Sequence, residues 1–396
     1  MEARDPSSIL WAQVFGLAAI QGAIALTWVI YNLYLPNLLV DMGLAAGLAT
    51  GLLIIENLLG AVMEPLMGSF SDQTQRWLGS RFPFVSVGVI LSAACFIAIP
   101  AVAFLGADAA DWMRSLLVFF LVAWAVCMTI FRSPALSLLG RYAFSSGLPQ
   151  AASILTLVGG VAGAMGPLAS GFILDLGPWV AFGVGSAVLL LAALALRLAN
   201  PGQTVHDKDS DAGEAAPFVW WGLIWVFGAG VGVGLGFRML MTAFPQVLAA
   251  QAPQANVGWV LGSIFLSLAL TAVPMGSLAS RWGNQRAMAI GLGLMGGLLA
   301  LTLLSGSTLL AVIIALCIGA TFSLVSNGSI PFALSMVPAA RAGLGTGIYF
   351  SGGAVASSLF GLLFAQAKFE PTVLALIGVV AFLAAGFCVI CSRPLH

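Results

Sequence analysis

The chain has 396 residues, of which 61% are hydrophobic and 7% are charged, and its formal net charge is zero. Soluble domains carry about 25% charged residues, so this composition excludes a soluble globular protein and indicates an integral membrane protein. A zero net charge also argues against nucleic acid as a partner. The first residues, MEARDPSS, lack the basic start of a signal peptide, so we expect the first apolar segment to remain as a membrane helix.

Apolar segments of about 20 residues, the length that crosses the hydrocarbon core of a bilayer, recur along the whole chain. They predict twelve transmembrane helices, at residues 11–40, 47–70, 83–105, 113–138, 149–174, 178–199, 218–247, 257–280, 287–306, 308–336, 342–366 and 371–391. The longest polar stretch, residues 200–217, predicts a flexible acidic linker between residues 1–199 and 218–396. The predicted fold class is therefore an all-α membrane protein with two six-helix bundles.

Basic residues fall unevenly on the two sides of these segments. The poor side has only Arg114 and Lys368, and Arg132 and Arg238 fall within segments. Cytoplasmic loops are enriched in Lys and Arg, so we expect the rich side, with both termini and the linker, to face the cytoplasm from an inner or plasma membrane. That side carries Arg4, Arg76, Arg81, Arg141, Arg197, Lys208, Arg281, Arg286, Arg341 and Arg393.

The two halves of the chain repeat the same features in the same order. Such pseudo-symmetry is typical of transporters that bind a substrate between two halves near the middle of the membrane and rock to alternate access. The pairs are Pro36 and Pro245, GSFSDQTQRWLGSR from Gly68 and GSLASRWGNQR from Gly276, Pro134 and Pro331, and Gly159-Gly160 and Gly352-Gly353.

The stretch from Glu64 to Phe84, EPLMGSFSDQTQRWLGSRFPF, begins inside the second segment and continues through the short polar loop that follows it. This loop, the order of segments and the linker resemble the major facilitator superfamily over the whole chain. The pattern E-P-x-x-G-x-x-x-D-x-x-x-R-x-x-G-x-R-x-P-F also resembles the glycoside-pentoside-hexuronide cation symporters of melibiose-permease type, and the sucrose-transporter-like group has a similar loop. The resemblance implies the twelve-helix major facilitator fold and transport of a small solute.

The same resemblance implies that the charges of this loop, Asp72, Arg76 and Arg81, lock a cytoplasmic gate against the other half. The alternative is a solvated turn whose arginines serve only topology. The repeat in the second half lacks the acid, so we expect a weaker second gate there; it reads Ala279-Ser280 and keeps Arg281 and Arg286.

Glu64 is a candidate for ion coupling, because a carboxylate within a membrane segment costs roughly 3 kcal/mol on insertion scales. It matches the second acid of the cation-binding pair in the symporters, but the first position here is Gly60. The acid that those proteins place two residues before Pro134 is replaced by Arg132. An ion pair of Glu64 with Arg132 is predicted from their similar depth, either as a fixed salt bridge or as a pair that opens on protonation or substrate binding. A cation such as sodium needs several oxygen ligands, which one carboxylate beside a guanidinium does not supply. Glu64 and Arg132 therefore favour a proton as the coupling ion.

Two further charged residues lie within predicted helices. Glu56, eight residues before Glu64, is a candidate proton carrier because burial favours the neutral form of a carboxyl group; the alternative is a polar contact near the outer end. Arg238 is a candidate for binding an anionic or hydroxyl-rich substrate through its planar donor fork, or it snorkels to the outer interface.

The other candidate substrate-binding residues are amides and aromatic rings. They could hydrogen-bond to a solute or stack on a sugar ring, although such residues also serve helix packing. They are Gln21, Trp28, Tyr31, Asn32, Asn57, Gln246 and Asn327.

These features predict a secondary active transporter of a small polar solute, with a sugar or glycoside as one candidate, coupled to protons by symport. A proton-driven antiporter or exporter, or a non-transporting sensor or assembly factor on the same fold, are the alternatives. A sensor would not need charged residues at a central cavity, so exposure of Glu56, Glu64 and Arg238 there distinguishes the classes. We expect no enzymatic activity, metal or cofactor, and a monomer whose partners are the substrate, the coupling proton and the lipid bilayer.

Overall fold

The computed structural model describes residues 9–45, 47–105, 111–200, 220–365 and 369–393. In these ranges twelve helices are long and apolar enough to cross a membrane, counting the short α5 with α4. The helices are α1 (Trp11–Asp41), α2 (Leu48–Leu78), α3 (Phe82–Leu105), α4 (Asp111–Leu136), α5 (Leu139–Tyr142), α6 (Leu148–Asp175), α7 (Gly177–Ala199), α8 (Trp220–Gln251), α9 (Val257–Trp282), α10 (Asn284–Thr302), α11 (Thr308–Ser335), α12 (Ala342–Leu363) and α13 (Pro371–Cys391).

Apolar runs of this length fold as helices because the bilayer core offers no water to the backbone polar groups. Most helix bounds lie within four residues of the predicted segments. Of the residues that carried the sidedness argument, Arg4, Lys208 and Lys368 lie outside the described ranges, as does the predicted linker except Asn200.

Helix α2 is longer than the sequence predicts. The polar residues after position 70 indicate a loop, but the helix continues to Leu78 and ends at Gly79, whose φ of 71° is left-handed. Glycine adopts this conformation without a Cβ clash, and its N–H donates to the carbonyl of Gln75 at 2.8 Å. Asp72 therefore lies on a helix, one turn after Gly68 and two turns after Glu64, and all three residues share one face.

Each half of the chain has its own apolar core, one within α1–α7 and one within α8–α13. Leu334 and Ala342 of the second half pack against the first core. Large buried side chains fill both cores; they include Phe96, Trp124, Phe131 and Phe182 in the first and Phe244, Phe332 and Phe382 in the second.

Two helix pairs make most of the contact between the halves: α2 packs on α12 and α6 packs on α9. Small residues let the backbones approach, as is common between membrane helices. A side chain at Gly68 would collide with the backbone of Gly343, and one at Gly361 would lie 2.5 Å from Ile54 near the other end of the same pair. Two cavities lie between these two interfaces. We call the end of the bundle where α2 meets α3 the basic end, since it carries Arg76, Arg81, Arg141 and Arg286.

Candidate functional site

A cavity of about 260 Å³ lies between the two halves. Small-molecule pockets usually enclose roughly 300–1,000 Å³, so this one suits a small solute. We call it the central cavity. None of the described residues that line it is charged; they are Gln21, Leu136, Ala152, Leu155, Thr156, Gly159, Gly160, Phe265, Leu268, Ser326, Ser329, Ile330, Tyr349 and Phe350.

The polar groups of the central cavity are an amide and several hydroxyls. The Gln21 Oε1 atom is buried and has no hydrogen-bond partner. The Tyr349 hydroxyl donates to the Ser329 Oγ atom at 2.8 Å, which orders both side chains. Because a buried acceptor without a partner is costly, Gln21 is well placed to receive a hydrogen bond from a bound solute. Of the predicted substrate-binding residues, only Gln21 lines this cavity.

Glu64 and Arg132 form an ion pair beside the central cavity. The Arg132 Nη2 atom lies 2.5 Å from Glu64 Oε1, and the side chains are 22% and 0% exposed respectively. The Arg132 guanidinium also lies over the ring of Phe350, with its carbon 4.7 Å from the ring centre. Phe350 lines the cavity. A continuous series of contacts therefore runs from the cavity through Phe350 and Arg132 to a buried carboxylate.

The backbone of α12 covers Glu64. A Cβ atom at Gly347 would lie 2.5 Å from the Glu64 carbonyl oxygen, so only a glycine allows this approach. Neither carboxylate oxygen of Glu64 makes a well-aligned hydrogen bond, so the ion pair provides most of the compensation for its burial. Gly60, at the position of the missing acid, faces Ala354 and Thr129.

Glu56 lies in the interior of the first half. The Tyr31 hydroxyl donates to Glu56 Oε1, and Glu56 Oε2 is buried without a partner. Tyr31 stacks on Trp124 with ring centres 4.4 Å apart, and Trp28 lies 4.8 Å from the same ring. Since Tyr31 and Trp124 are fully buried, the Tyr31 ring is not open to a sugar, whereas Trp28 is half-buried and does not line the central cavity.

Three of the remaining predicted amides bond to backbone carbonyls. Asn32 and Asn57 each donate to the carbonyl four residues earlier, at 2.7 and 2.6 Å. Asn327 is fully buried and donates at 2.8 Å to the Ala272 carbonyl, which ties α11 to α9. These contacts correspond to the helix-packing alternative, although the Asn327 Oδ1 atom is left without a partner.

Arg238 and Gln246 have exposed side chains on α8 and do not line the central cavity. Glu56 and Glu64 are buried and do not line it either. The exposure of Glu56, Glu64 and Arg238 at this cavity, which would argue against a non-transporting sensor, is therefore not observed. The charged pair instead reaches the cavity through Phe350, which the sequence did not single out.

At the basic end, Asp72 joins the two halves. Its carboxylate accepts hydrogen bonds from the N–H groups of Gly343 and Leu344, both at 2.9 Å, in the first turn of α12. Arg81 donates to Asp72 and to the Ser137 hydroxyl. Asp72 and Arg81 are 4% and 2% exposed, which does not fit a solvated turn. An acid at a helix N-terminus is favoured by the partial positive charge of the helix dipole.

Two hydroxyl residues extend this contact. The Ser133 hydroxyl donates to the Gly343 carbonyl at 2.9 Å and lies 3.0 Å from the Thr346 hydroxyl oxygen. Arg76, the third predicted gate residue, is exposed. Within the described residues no group of three or more His, Cys, Asp or Glu side chains is arranged to hold a metal ion.

The equivalent contact in the second half lacks these bonds. Gly276, the counterpart of Gly68, packs on α6, where a Cβ atom would lie 2.9 Å from the Pro149 carbonyl. Pro149 thus takes the place of Gly343, but proline has no N–H to donate. Ser280 stands where the first half has Asp72, and its hydroxyl is buried without a hydrogen-bond partner.

The family model of the Major Facilitator Superfamily matches residues 226–395. The chain is similar to the crystal structure of a bacterial homologue of the iron transporter ferroportin in the outward-facing state, with a TM-score of 0.72, 16% identity and coverage of 96% of this chain and 98% of that one. It is also similar to the human organic anion transporter MFSD10 (TETRAN), with a TM-score of 0.63, 15% identity and coverage of 96% and 100%. No curated protein matches the chain in sequence.

At these identities the two solved structures establish the fold alone. Membership of the glycoside symporter group, which the stretch from Glu64 to Phe84 resembles, stays a prediction. The chain is an integral membrane protein with the twelve-helix fold of the major facilitator superfamily, and its second half matches the family model.

Proposed function

We propose that the chain is a secondary active transporter that moves a small polar solute by alternating access and couples this movement to protons. The observation that carries the proposal is the central cavity between the two halves, connected through Phe350 and Arg132 to buried Glu64. In transporters built from two pseudo-symmetric halves, substrate binds between the halves and rocking exposes it to each side in turn.

The lining of the central cavity favours an uncharged polar solute. It offers the Gln21 amide, the hydroxyls of Thr156, Ser326 and Ser329, and aromatic rings at Tyr349 and Phe350. Hydroxyl and amide groups bind the hydroxyls of a solute, while rings cover its apolar faces. A sugar or small glycoside belongs to this class and is the candidate that the sequence resemblance suggests.

The composition of the charged pair favours a proton as the coupling ion. A bound metal cation takes about six oxygen ligands, whereas Glu64 supplies one carboxylate next to a guanidinium. A proton needs one titratable group. Protonation of Glu64 would release Arg132, which already contacts Phe350, so the same event reaches the cavity. This gives two states that both the proton and the solute can bias.

We further propose that the basic end faces the cytoplasm, as the distribution of arginines suggests. In this orientation the contact of Asp72 with α12 closes the cytoplasmic side. The division into bundles at 1–199 and 218–396, joined by a linker at 200–217, belongs to the same proposal.

Transport in proteoliposomes tests the function. A thermal-shift screen of neutral polar solutes on the purified protein first selects a ligand, whose uptake is then measured under imposed pH or sodium gradients. A pH gradient should drive accumulation, and replacing sodium by choline should not affect it. Glu64→Gln should abolish this accumulation while leaving solute exchange intact, and Glu370→Gln, an exposed acid outside the cavity, serves as the control. Steep sodium dependence without a pH response would contradict proton coupling.

A further inference from the structure

Glu56 carries a buried carboxyl group that the proposed coupling through Glu64 does not use. It lies eight residues before Glu64 on the same face of α2, roughly 12 Å nearer the end of the bundle opposite the basic end. Glu56 lines neither the central cavity nor the second cavity, of about 820 Å³, which lies at the basic end. The two acids also differ in their partners, since the guanidinium of Arg132 pairs with Glu64.

Among the described residues, the side chain that hydrogen-bonds to the Glu56 carboxyl group is uncharged. The Tyr31 hydroxyl donates to Oε1, whereas Oε2 is buried and has no hydrogen-bond partner. Glu56 itself is only 4% exposed. A buried carboxylate that has neither a counter-charge nor a full set of hydrogen bonds is so costly that the group takes up a proton instead. The contacts therefore indicate the neutral acid in this conformation.

Within the described ranges, the elements packed on α2 bring no positive charge to Glu56. Tyr31 is the titratable group that faces it from α1, and the guanidinium of Arg132 on α4 is already paired with another acid. Helix α12 has no charged residue. Arg341, in the turn before α12, lies near Asp72 at the basic end, roughly 24 Å along α2 from Glu56. The ionised form of Glu56 therefore has no cation to stabilise it.

One aromatic ring lies between this pair and the interface of the two halves. Trp28 is on the same face of α1 as Gln21, which lines the central cavity, and as Asn32, which is exposed. Trp28 is half-buried, and its ring centre lies 5.7 Å from that of Tyr31, with the rings nearly perpendicular. Movement of Trp28 as the halves rock would therefore open the Tyr31–Glu56 pair to water.

We propose that Glu56 is a second proton-binding site, which holds its proton in this conformation and releases it to water when Trp28 moves away. Tyr31, held by stacking on Trp124, keeps its own proton and stabilises the carboxylate by donating to it. A metal ion takes about six oxygen ligands, whereas this site offers one carboxyl group and one hydroxyl, so a proton is the cation that fits. The inference rests on the proposed function for the transport step, in which Glu56 and Glu64 then carry two protons with each solute.

The competing explanation is a permanently neutral acid that only packs inside the first half. A glutamine would then serve equally well, because its amide oxygen accepts the same hydrogen bond from Tyr31. Glu56→Gln therefore imitates the protonated acid but cannot release a proton, so it separates a fixed packing group from a carrier.

Infrared difference spectra between low and high pH, on the purified full-length protein in lipid nanodiscs, test the protonation. A neutral carboxyl group has a carbonyl stretch that an ionised carboxylate lacks. We expect this band to disappear as the pH rises, to be absent in Glu56→Gln and to shift in Tyr31→Phe, which removes the donor. Glu370→Gln, at an exposed acid, should leave it unchanged, and melting temperatures show that each variant is folded. A spectrum of Glu56→Gln identical to that of the unaltered protein would overturn the proposal.

Proteoliposomes at zero membrane voltage test the transport step. The quantity measured is the pH gradient that stops net flux of the solute selected by thermal shift, at a fixed solute gradient. It should double in Glu56→Gln, since one proton then moves with each solute in place of two, and stay the same in Glu370→Gln. An unchanged value in Glu56→Gln would assign Glu56 to packing and overturn the proposal. Failure of the proposed function is distinct, because the unaltered protein then shows no pH-driven accumulation, while the infrared spectra need no solute.

Discussion

The guanidinium of Arg132, on α4 of the first half, lies over the ring of Phe350, on α12 of the second half, at 4.7 Å from its centre. A cation over an aromatic face is stabilised by roughly 0.5–1 kcal/mol at exposed sites and by about 2 kcal/mol when desolvated. Since the two residues belong to different halves, any rocking of the halves alters this contact. Arg132 is also paired with Glu64, so the contact can relate the position of the halves to the state of the carboxylate.

Phe350→Leu should reduce coupling more than it weakens solute binding. Leucine keeps an apolar group in the cavity wall but has no π face for Arg132. We expect accumulation driven by a pH gradient to fall several-fold relative to solute exchange, measured on the same proteoliposomes. Phe265→Leu is the matched control, since Phe265 lines the same cavity from α9. Equal effects of the two substitutions would assign Phe350 to the cavity wall alone.

Arg132→Ala should destabilise the protein more than the double variant Arg132→Ala with Glu64→Gln. Removing one partner of a buried pair leaves an uncompensated charge and costs about 3–5 kcal/mol, whereas a neutral amide at position 64 avoids that charge. Thermal unfolding of the four proteins in a double-mutant cycle gives the coupling energy. Strictly additive shifts would show that the two side chains do not interact in the folded protein.

The sequence predicts the helices well because each apolar run has only one way to satisfy its backbone in a bilayer. It also predicts the pair of Glu64 and Arg132, since two opposite charges at similar depth stabilise each other. It does not predict the end of α2, where polar residues continue a helix beyond the apolar run until Gly79. Composition alone does not distinguish such a helix from a loop.

Two parts of the site depend on contacts that leave no local signal. Asp72 bonds to the backbone N–H of Gly343, 271 residues away, and a backbone donor is present at almost every position. Phe350 is one of 25 phenylalanines, and its role follows from the position of Arg132 alone. Conversely, Tyr31 has the chemistry of a sugar site, but Trp124 fills the space against its ring.

Asp72→Asn should favour separation of α2 from α12 at the basic end. An amide lacks the charge that interacts with the helix dipole, accepts through a single oxygen, and leaves buried Arg81 without its counter-charge. Spin-label distances between the basic ends of α2 and α12 should shift to longer values. Arg76→Gln, in an exposed residue on the same helix, should leave them unchanged. An unaltered distribution in Asp72→Asn would show that glycine packing alone holds this contact.

The final prediction concerns the unequal contacts of the two halves. Ser280 occupies the place of Asp72, but the N–H that Gly343 supplies to Asp72 is missing at Pro149. Ser280→Asp should therefore lower the melting temperature, because the buried acid finds one backbone donor fewer than Asp72 does. Adding Pro149→Ala restores a donor at the start of α6 and should recover part of the loss. The melting temperature of the double variant should therefore be higher than the value obtained by adding the two single shifts. Melting temperatures and the spin-label distance between the basic ends of α6 and α9 measure both effects. If the two substitutions are additive, the absence of an acid in the second half has a cause other than Pro149.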